Sequence, residues 1–236
     1  MRSTDLRTKL HSRLYELSSL LLLPLLGTGR PAAALTRLAK IWLRQARLVG
    51  HLARGGYDFV VDGGAGIGEF AALVRRATPE TPLLCVEPHP ASATRLRRRG
   101  FRVVEAALWS VPGRATLVQP TDAATSCSLV APGVPERPAW IVETVRLDQL
   151  PLSGQRILVK LDLQGAEPQA IEGMGDLWDR CTGLLLEVSL GEQGTYEPLR
   201  ARLAAQDLFE AATFNELEAE GRVVEADKLW LRRSRP

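Results

Sequence analysis

The residues best placed to do chemistry are a set of glycines and carboxylates beginning at Asp62. Asp62, Gly64, Gly66 and Gly68 are spaced D-x-G-x-G-x-G within VVDGGAGIGEF, Val60–Phe70. Two β-branched residues run into the acid, the glycines follow, and a helix-forming stretch begins. Such glycines let the backbone turn tightly after a strand and approach a ligand closely. Glu87 ends the apolar run Leu83-Leu84-Cys85-Val86. That is roughly the 20-residue offset at which a second strand presents a carboxylate to ribose hydroxyls. An ordinary strand–helix loop accounts for the glycines alone. Glycines and Glu87 together point to a nucleoside-containing cofactor.

Ligands of an open parallel sheet bind beyond the carboxyl ends of its strands. The acids at those ends are Asp62, Glu87, Glu105, Asp162 and Glu187. The segment VKLDLQGAEPQAIEG, Val159–Gly173, delivers Asp162 on an apolar strand, turns at Gln164-Gly165 and places Glu167 in the first helical turn. Glu167 suits a helix N-terminus for electrostatic reasons alone. A carboxylate at the position of Asp162 is costly unless something pairs with it.

The elements that position these residues alternate strand and helix from Tyr57 onward. Strands are predicted at Tyr57–Asp62, Leu83–Glu87, Phe101–Ala106, Arg156–Asp162 and Thr182–Val188. Helices are predicted at Glu69–Ala77, Pro90–Arg99, Pro168–Gly173 and Tyr196–Ala205. Repeated βα units require a parallel sheet. Leu208–Phe214 and Lys228–Arg232 flank a turn at Glu220-Gly221-Arg222 and must run antiparallel. The expectation is a mostly parallel seven-stranded sheet with one reversed strand. Ala115–Val118 and Trp140–Val145 predict a hairpin-like excursion around a mobile Ser/Thr/Pro-rich loop, Pro120–Pro138. Residues 1–56 predict two amphipathic helices forming a cap, and 57–236 the ligand-binding domain.

Composition is that of an ordinary globular chain, 236 residues with 45% hydrophobic and 24% charged. A net charge of +3 does not by itself argue for nucleic acid. The charge is uneven: ten cations from Arg2 to Arg54 face only Asp5 and Glu16. A basic helix pair of this kind is compatible with a peripheral membrane contact or an anionic partner, and its apolar faces with packing on the cap or on a second copy of the chain. Cys85, Cys127 and Cys181 have neither disulfide-framework nor zinc-ligand spacing. The apolar run Leu20–Leu26 is broken by Pro24 and too short to cross a bilayer. A cytoplasmic location, with no secretory signal, is the expectation.

The series VVDGGAGIGEF, CVEPHP, VRLDQLP, VKLDLQGAE, LLLEVSL and ADKLWLRR resembles the FkbM-type methyltransferases over Tyr57–Arg232. These are class I S-adenosylmethionine-dependent enzymes that typically methylate hydroxyls of sugars or small natural products. The resemblance implies a Rossmann-like methyltransferase fold, with S-adenosylmethionine as cofactor and S-adenosylhomocysteine as product. Gly66 departs from the family's usual Asn and Gln164 from its usual Glu, which removes a negative charge beside Asp162. On this resemblance Asp62 organises the turn, and Gly64 and Gly66 approach the methionine part of the cofactor. Glu87 and Pro88 serve the ribose, and Ala106, Ala107 and Leu108 lie near the adenine. Asp162 is the first choice for the base that takes the acceptor's proton, and His89 the second. His89 also reads as a surface loop residue on the cofactor side. Glu167 and Glu187 orient substrate hydroxyls or hold a divalent cation, the less favoured option. Ser126 and Cys127 line the acceptor pocket. Trp109 and Trp140 are candidates to stack on a sugar, or else core.

The resulting expectation is O-methylation of a hydroxyl on a sugar or small natural product. Two rivals are an NAD-dependent oxidoreductase and a non-catalytic binding protein that keeps the fold and uses its basic helices. Glu69 stands where the dinucleotide fingerprint needs a small residue, which weighs against the first.

Overall fold

The structure, a computed structural model, describes residues 46–118, 128–130, 139–190, 196–219 and 221–233. The chain divides into two units, Met1–Gly50 and His51–Pro236. In the first, the described residues are 46–50; residues 46–55 are helical. The remainder of the expected helical pair, with Cys127 and most of the Pro120–Pro138 stretch, lies outside the described residues. The strands, and the helices between them, belong to the second unit.

Strand β1 (Phe59–Gly63) is buried at every position, as a strand covered on both faces of a parallel sheet must be. After the glycine turn, helix α1 (Glu69–Ala77) buries Phe70, Ala71 and Val74 along one face. Arg75 and Arg76 close its last turn, where cations oppose the partial negative charge of a helix carboxyl end. Strand β2 (Leu83–Val86) leads to helix α2 (Pro90–Arg98) and strand β3 (Arg102–Val104). Proline at the first position of α2 lacks an N–H that would have found no partner within the helix. The chain then leaves this sheet for β4 (Ala107–Leu108), β5 (Gly113–Val118), β6 (Ser128–Val130) and β7 (Ala139–Val145). It returns through β8 (Ile157–Leu161), α3 (Glu167–Glu172), β9 (Cys181–Ser189), α4 (Tyr196–Ala204), β10 (Leu208–Ala219) and β11 (Arg222–Arg232).

The main sheet has seven strands in the order β10-β11-β9-β8-β1-β2-β3. Strands β3, β2, β1, β8 and β9 are mutually parallel, and β11 runs antiparallel to both β9 and β10. The reason lies in the connections. Crossing over through α4, the chain places β10 one strand away from β9. The two-residue link at 220–221 then folds β11 back into the gap, and so short a return can only be antiparallel. The expected architecture, seven strands with one reversed, is what the fold contains.

The excursion between β3 and β8 is larger than a hairpin. It is a four-stranded sheet, β4-β7-β5-β6, with β5 antiparallel to β6 and β7 and β4 parallel to β7. Ser128–Val130 is a strand inside the stretch expected as loop, paired with Thr116–Val118. Ala107, Leu117 and Val142 form this sheet's small core, with Leu129 and Trp140 packed against it.

Val61, Val159, Leu161, Leu184, Leu186 and Trp230 belong to one large apolar core that includes Ala170, Ile171, Leu199 and Leu203 of α3 and α4. Ala71, Cys85, Leu96 and Phe101 form a second core with Ala65. Burial of this kind contributes about 25 cal/mol per Å² of apolar surface removed from water. From β1 the strand order runs to β2 and β3 on one side and to β8 and β9 on the other. The end of β1 is therefore the switch point where such sheets bind ligands.

Candidate active site

The glycine turn wraps the end of β2. The amides of Gly64 and Ala65 donate to the carbonyl of Val86 at 3.0 and 3.3 Å, and the amide of Gly66 donates to Glu87 Oε2 at 2.7 Å. Gly64 and Gly66 both have positive φ, +68° and +53°, but for different reasons. A Cβ on Gly64 would stand 1.8 Å from the carbonyl oxygen of Asp162. A Cβ on Gly66 would meet nothing within 4 Å. Gly64 is therefore required by packing against the chain beyond β8, whereas Gly66 faces open space.

Glu87 is buried, and both its oxygens are engaged: Oε2 by Gly66 and Oε1 by the amide of His89 at 2.8 Å. Burial pushes its pKa up, against the two amide hydrogen bonds. Each oxygen keeps a second lone pair for a further donor.

His89 is not the surface residue expected from its loop. It is buried and caps α2, with Nδ1 accepting from the amide of Ser92 at 3.3 Å. Its ring stands edge-on to Trp140, with centroids 4.5 Å apart. A neutral imidazole that accepts at Nδ1 carries its proton on Nε2 and has no second lone pair for a base. Burial holds its pKa below the usual histidine range, so the neutral form prevails. The second-choice base is withdrawn on this geometry. Trp140 is correspondingly a packing residue against His89 and the small core.

The other half of the site rests on β8. Lys160, which lies in VKLDLQGAE but is assigned no role from the sequence, stands beside Asp62 in the β1–β8 register. Its Nζ lies 3.3 Å from Asp62 Oδ1 and 3.2 Å from Asp162 Oδ2, and it donates to the carbonyl of Gly64 at 3.0 Å. A signal is nonetheless present: a lysine in the buried strand ILVKL needs a counter-charge. Asp62 is fully buried, and this ammonium is the opposite charge that faces it. Burial raises its pKa, and Lys160 opposes the rise.

Asp162 remains 36% exposed at the end of β8, enough to meet a ligand. Gln164, at φ 54°, donates through Nε2 to Asp162 Oδ1 at 3.1 Å and to Glu187 Oε2 at 2.9 Å. The amide that replaces the family's usual acid thus bridges two acids. Burial would raise the pKa of Asp162. The Lys160 charge and hydrogen bonds from Glu187 and Gln164 outweigh it and hold the carboxyl below its ordinary value. Glu187 goes the other way, pushed up to about 9 by burial, by the charge of Asp162 and by Glu225 and Asp227. At neutral pH Glu187 holds a proton that it shares with ionised Asp162.

Glu167 does not reach this pair. It is buried and turns back on its own loop, accepting from the amides of Leu163 at 2.6 Å and Gly165 at 3.1 Å. Both oxygens serve the turn that presents Asp162 and Gln164, so its assignment to substrate is corrected to support of that turn. Glu105 likewise stays out, paired with Arg97 at 2.6 Å. Ala106, Ala107 and Leu108 are buried. The Leu108 side chain packs against Gly63 and belongs to the core. Ser126 lies outside the described residues. Among the described residues, no group of three or more His, Cys, Asp or Glu side chains is arranged to hold a metal ion. Nor is any helix there long and apolar enough to cross a membrane.

Residues 62–220 match the family described as the methyltransferase FkbM domain. No curated protein matches the chain. Among solved structures, the chain is similar to a magnesium protoporphyrin IX methyltransferase from Synechocystis PCC 6803 with bound S-adenosylmethionine. The identity is 10%, the coverage 83% of each chain and the TM-score 0.47. A precorrin-6y C5,15-methyltransferase from Geobacter metallireducens GS-15 is 14% identical, with coverage of 80% and 87% and a TM-score of 0.44. The N-terminal domain of human METTL16, in complex with S-adenosylhomocysteine, is 14% identical, with coverage of 85% and 71% and a TM-score of 0.44. The family match spans most of the chain, and with it the glycine turn, Glu87 and the Lys160–Asp162–Gln164 segment: the chain belongs to the FkbM methyltransferase domain family and is an S-adenosylmethionine-dependent methyltransferase.

Proposed function

We propose that the protein methylates a hydroxyl group on a sugar or small natural product, with Asp162 as the base. The observation that carries this reading is the convergence of two strand ends. The glycine turn after β1 and the exposed carboxylate after β8 sit side by side at the switch point of the sheet. The residues fit the cofactor: Gly66 leaves open space above the turn, and Glu87 keeps acceptor capacity for ribose hydroxyls. Gly66, Glu87 and Pro88 would hold it, with the backbone of residues 106–108 as the adenine-side wall. When bound, S-adenosylmethionine supplies an electrophilic methyl group on a sulfonium.

The chain's own task is to hold the acceptor oxygen in line and take its proton. Asp162 is ionised across the neutral range, and one of its lone-pair directions is left after Gln164, Lys160 and Glu187 are served. Its proton affinity is low, so it serves an alcohol only as the oxygen begins to bond and acidify, which is the regime of general-base catalysis. Glu187, whose proton faces Asp162, keeps acceptor capacity for a neighbouring hydroxyl of the same acceptor. We place residues 1–56 as a cap that contributes to acceptor choice. A small-molecule or glycan acceptor is the partner we propose.

The test is calorimetric titration with S-adenosylmethionine, S-adenosylhomocysteine and NAD, paired with turnover on a panel of hydroxylated acceptors. Wild type should bind both adenosyl ligands and not NAD. Asp162→Asn should keep that affinity and lose about 10²–10⁴-fold in turnover. Normal turnover by Asp162→Asn removes it as the base, and NAD binding alone overturns the reading.

A further inference from the structure

We propose that Lys160 is a positioning residue that ties the cofactor turn to Asp162 and keeps that carboxylate ionised. The claim about catalysis rests on the reading of Asp162 as base; the claim about its charge does not. The geometry is specific. One ammonium lies within 3.3 Å of Asp62 Oδ1, 3.2 Å of Asp162 Oδ2 and 3.0 Å of the Gly64 carbonyl, with the Gly63 carbonyl at 3.4 Å. An ammonium has three protons, and four oxygens compete for them, so none is left for a ligand. Lys160 therefore acts through its neighbours. Those neighbours are the last residues of β1, the first of the glycine turn and the first residue beyond β8. The packing of Gly64 against the Asp162 carbonyl locks the same two segments together from the backbone side.

The arrangement also places charge where it is needed. Asp62 and Lys160 cancel inside the sheet, and Asp162 takes up the outward side of the ammonium. Burial works against the charge on Lys160, but the two carboxylates outweigh it and raise its pKa. The other charged groups near Asp162 are Glu167 on α3, Glu187 on β9 and, beyond it, Glu225 and Asp227 on β11, all acidic. Among the described residues, Lys160 is the cation that bears most on the charge of Asp162. A neutral side chain there would leave Asp162 beside acids alone, and its proton would come off at higher pH.

The test uses cofactor-free full-length protein labelled with ¹³C at aspartate Cγ, the Asp162 signal being assigned from Asp162→Asn. Lys160→Met alone leaves Asp62 buried without a counter-charge and endangers the fold. The double variant Asp62→Asn/Lys160→Met orphans no buried charge and is the variant to titrate, against Asp62→Asn as control. The midpoint for Asp162 should stay low in the control. In the double variant it should rise by about one pH unit or more, a tenfold gain in proton affinity. An unmoved midpoint in a folded double variant overturns the proposal. On the unmodified chain, the Lys160 ammonium should give a slowly exchanging ¹H–¹⁵N signal at neutral pH, and rapid exchange with water also overturns it. If the Asp162 midpoint rises while the acid limb of the turnover profile stays fixed, the base assignment fails and the charge-holding role of Lys160 stands.

Discussion

Replacing Gly64 or Gly66 by alanine puts the same methyl group on the same kind of backbone, yet the two changes should fail in different ways. Both positions lie at positive φ, +68° and +53°, where an L-residue with a side chain costs ~1–2 kcal/mol. Beyond that shared cost they diverge. At Gly64 the new Cβ would be 1.8 Å from the Asp162 carbonyl oxygen and 2.9 Å from its carbonyl carbon. Those are backbone atoms at the end of a buried strand and cannot swing aside, so overpacking adds roughly 1–3 kcal/mol. At Gly66 the Cβ meets nothing within 4 Å. With ~2–4 °C of melting temperature per kcal/mol for a domain of this size, Gly66→Ala should lose about 2–8 °C and Gly64→Ala about 4–20 °C. The affinities should differ too. Gly66→Ala fills the space left for the cofactor and should weaken S-adenosylmethionine binding at least ~10-fold, equivalent to 1.4 kcal/mol. Thermal unfolding by circular dichroism and calorimetric titration on the same preparations read both quantities. The reasoning is refuted if the two variants melt together, or if Gly66→Ala binds as wild type does.

Two further outcomes are expected from the carboxylates around the β8 end. Glu167→Ala removes the acceptor of the part-buried amides of Leu163 and Gly165, a loss of roughly 0.5–1.5 kcal/mol for each. Turnover should fall with the melting temperature while cofactor affinity holds; a drop in affinity equal to the drop in turnover would place Glu167 in the cofactor site instead. Glu187, raised from 4.5 to about 9, binds its proton more tightly folded than unfolded. Its contribution to stability is thus present below the unfolded pKa and is lost as pH rises through the folded one. Melting temperatures of wild type and Glu187→Gln should therefore separate in favour of the variant between about pH 4.5 and 9 and run parallel above. A constant gap across that range would mean that Glu187 is already ionised at neutral pH.

Much of the fold is legible in local pattern. Helix α1 is predicted at the residues it occupies, Glu69–Ala77, because a glycine turn starts it and apolar spacing runs through it. The central strands are legible to within two residues or so because each is a short apolar run between glycine-, proline- or acid-bearing turns. The reversed strand follows from a two-residue link. The second sheet is only partly legible. Its β4 has two residues, and β6 sits within a Ser/Thr/Pro-rich stretch, so neither carries a period.

What the sequence determined by itself is the glycine turn, its acidic partner at Glu87 and the family, since these depend on residue types at short spacing. Only the tertiary structure decided what each carboxylate does. Glu167 and Glu187 both look available to a substrate in the sequence, but one folds back on its own amides and the other shares a proton with Asp162. His89 reads as a loop residue and is a buried helix cap. Lys160 acquires its role from lying beside Asp62, a pairing made by β1 and β8 across four intervening strands of the other sheet and two of this one. The physical reason is common to all four. The protonation and availability of a side chain depend on which charges and amides surround it. Those neighbours come from segments far apart in the chain, and the sheet brings them together.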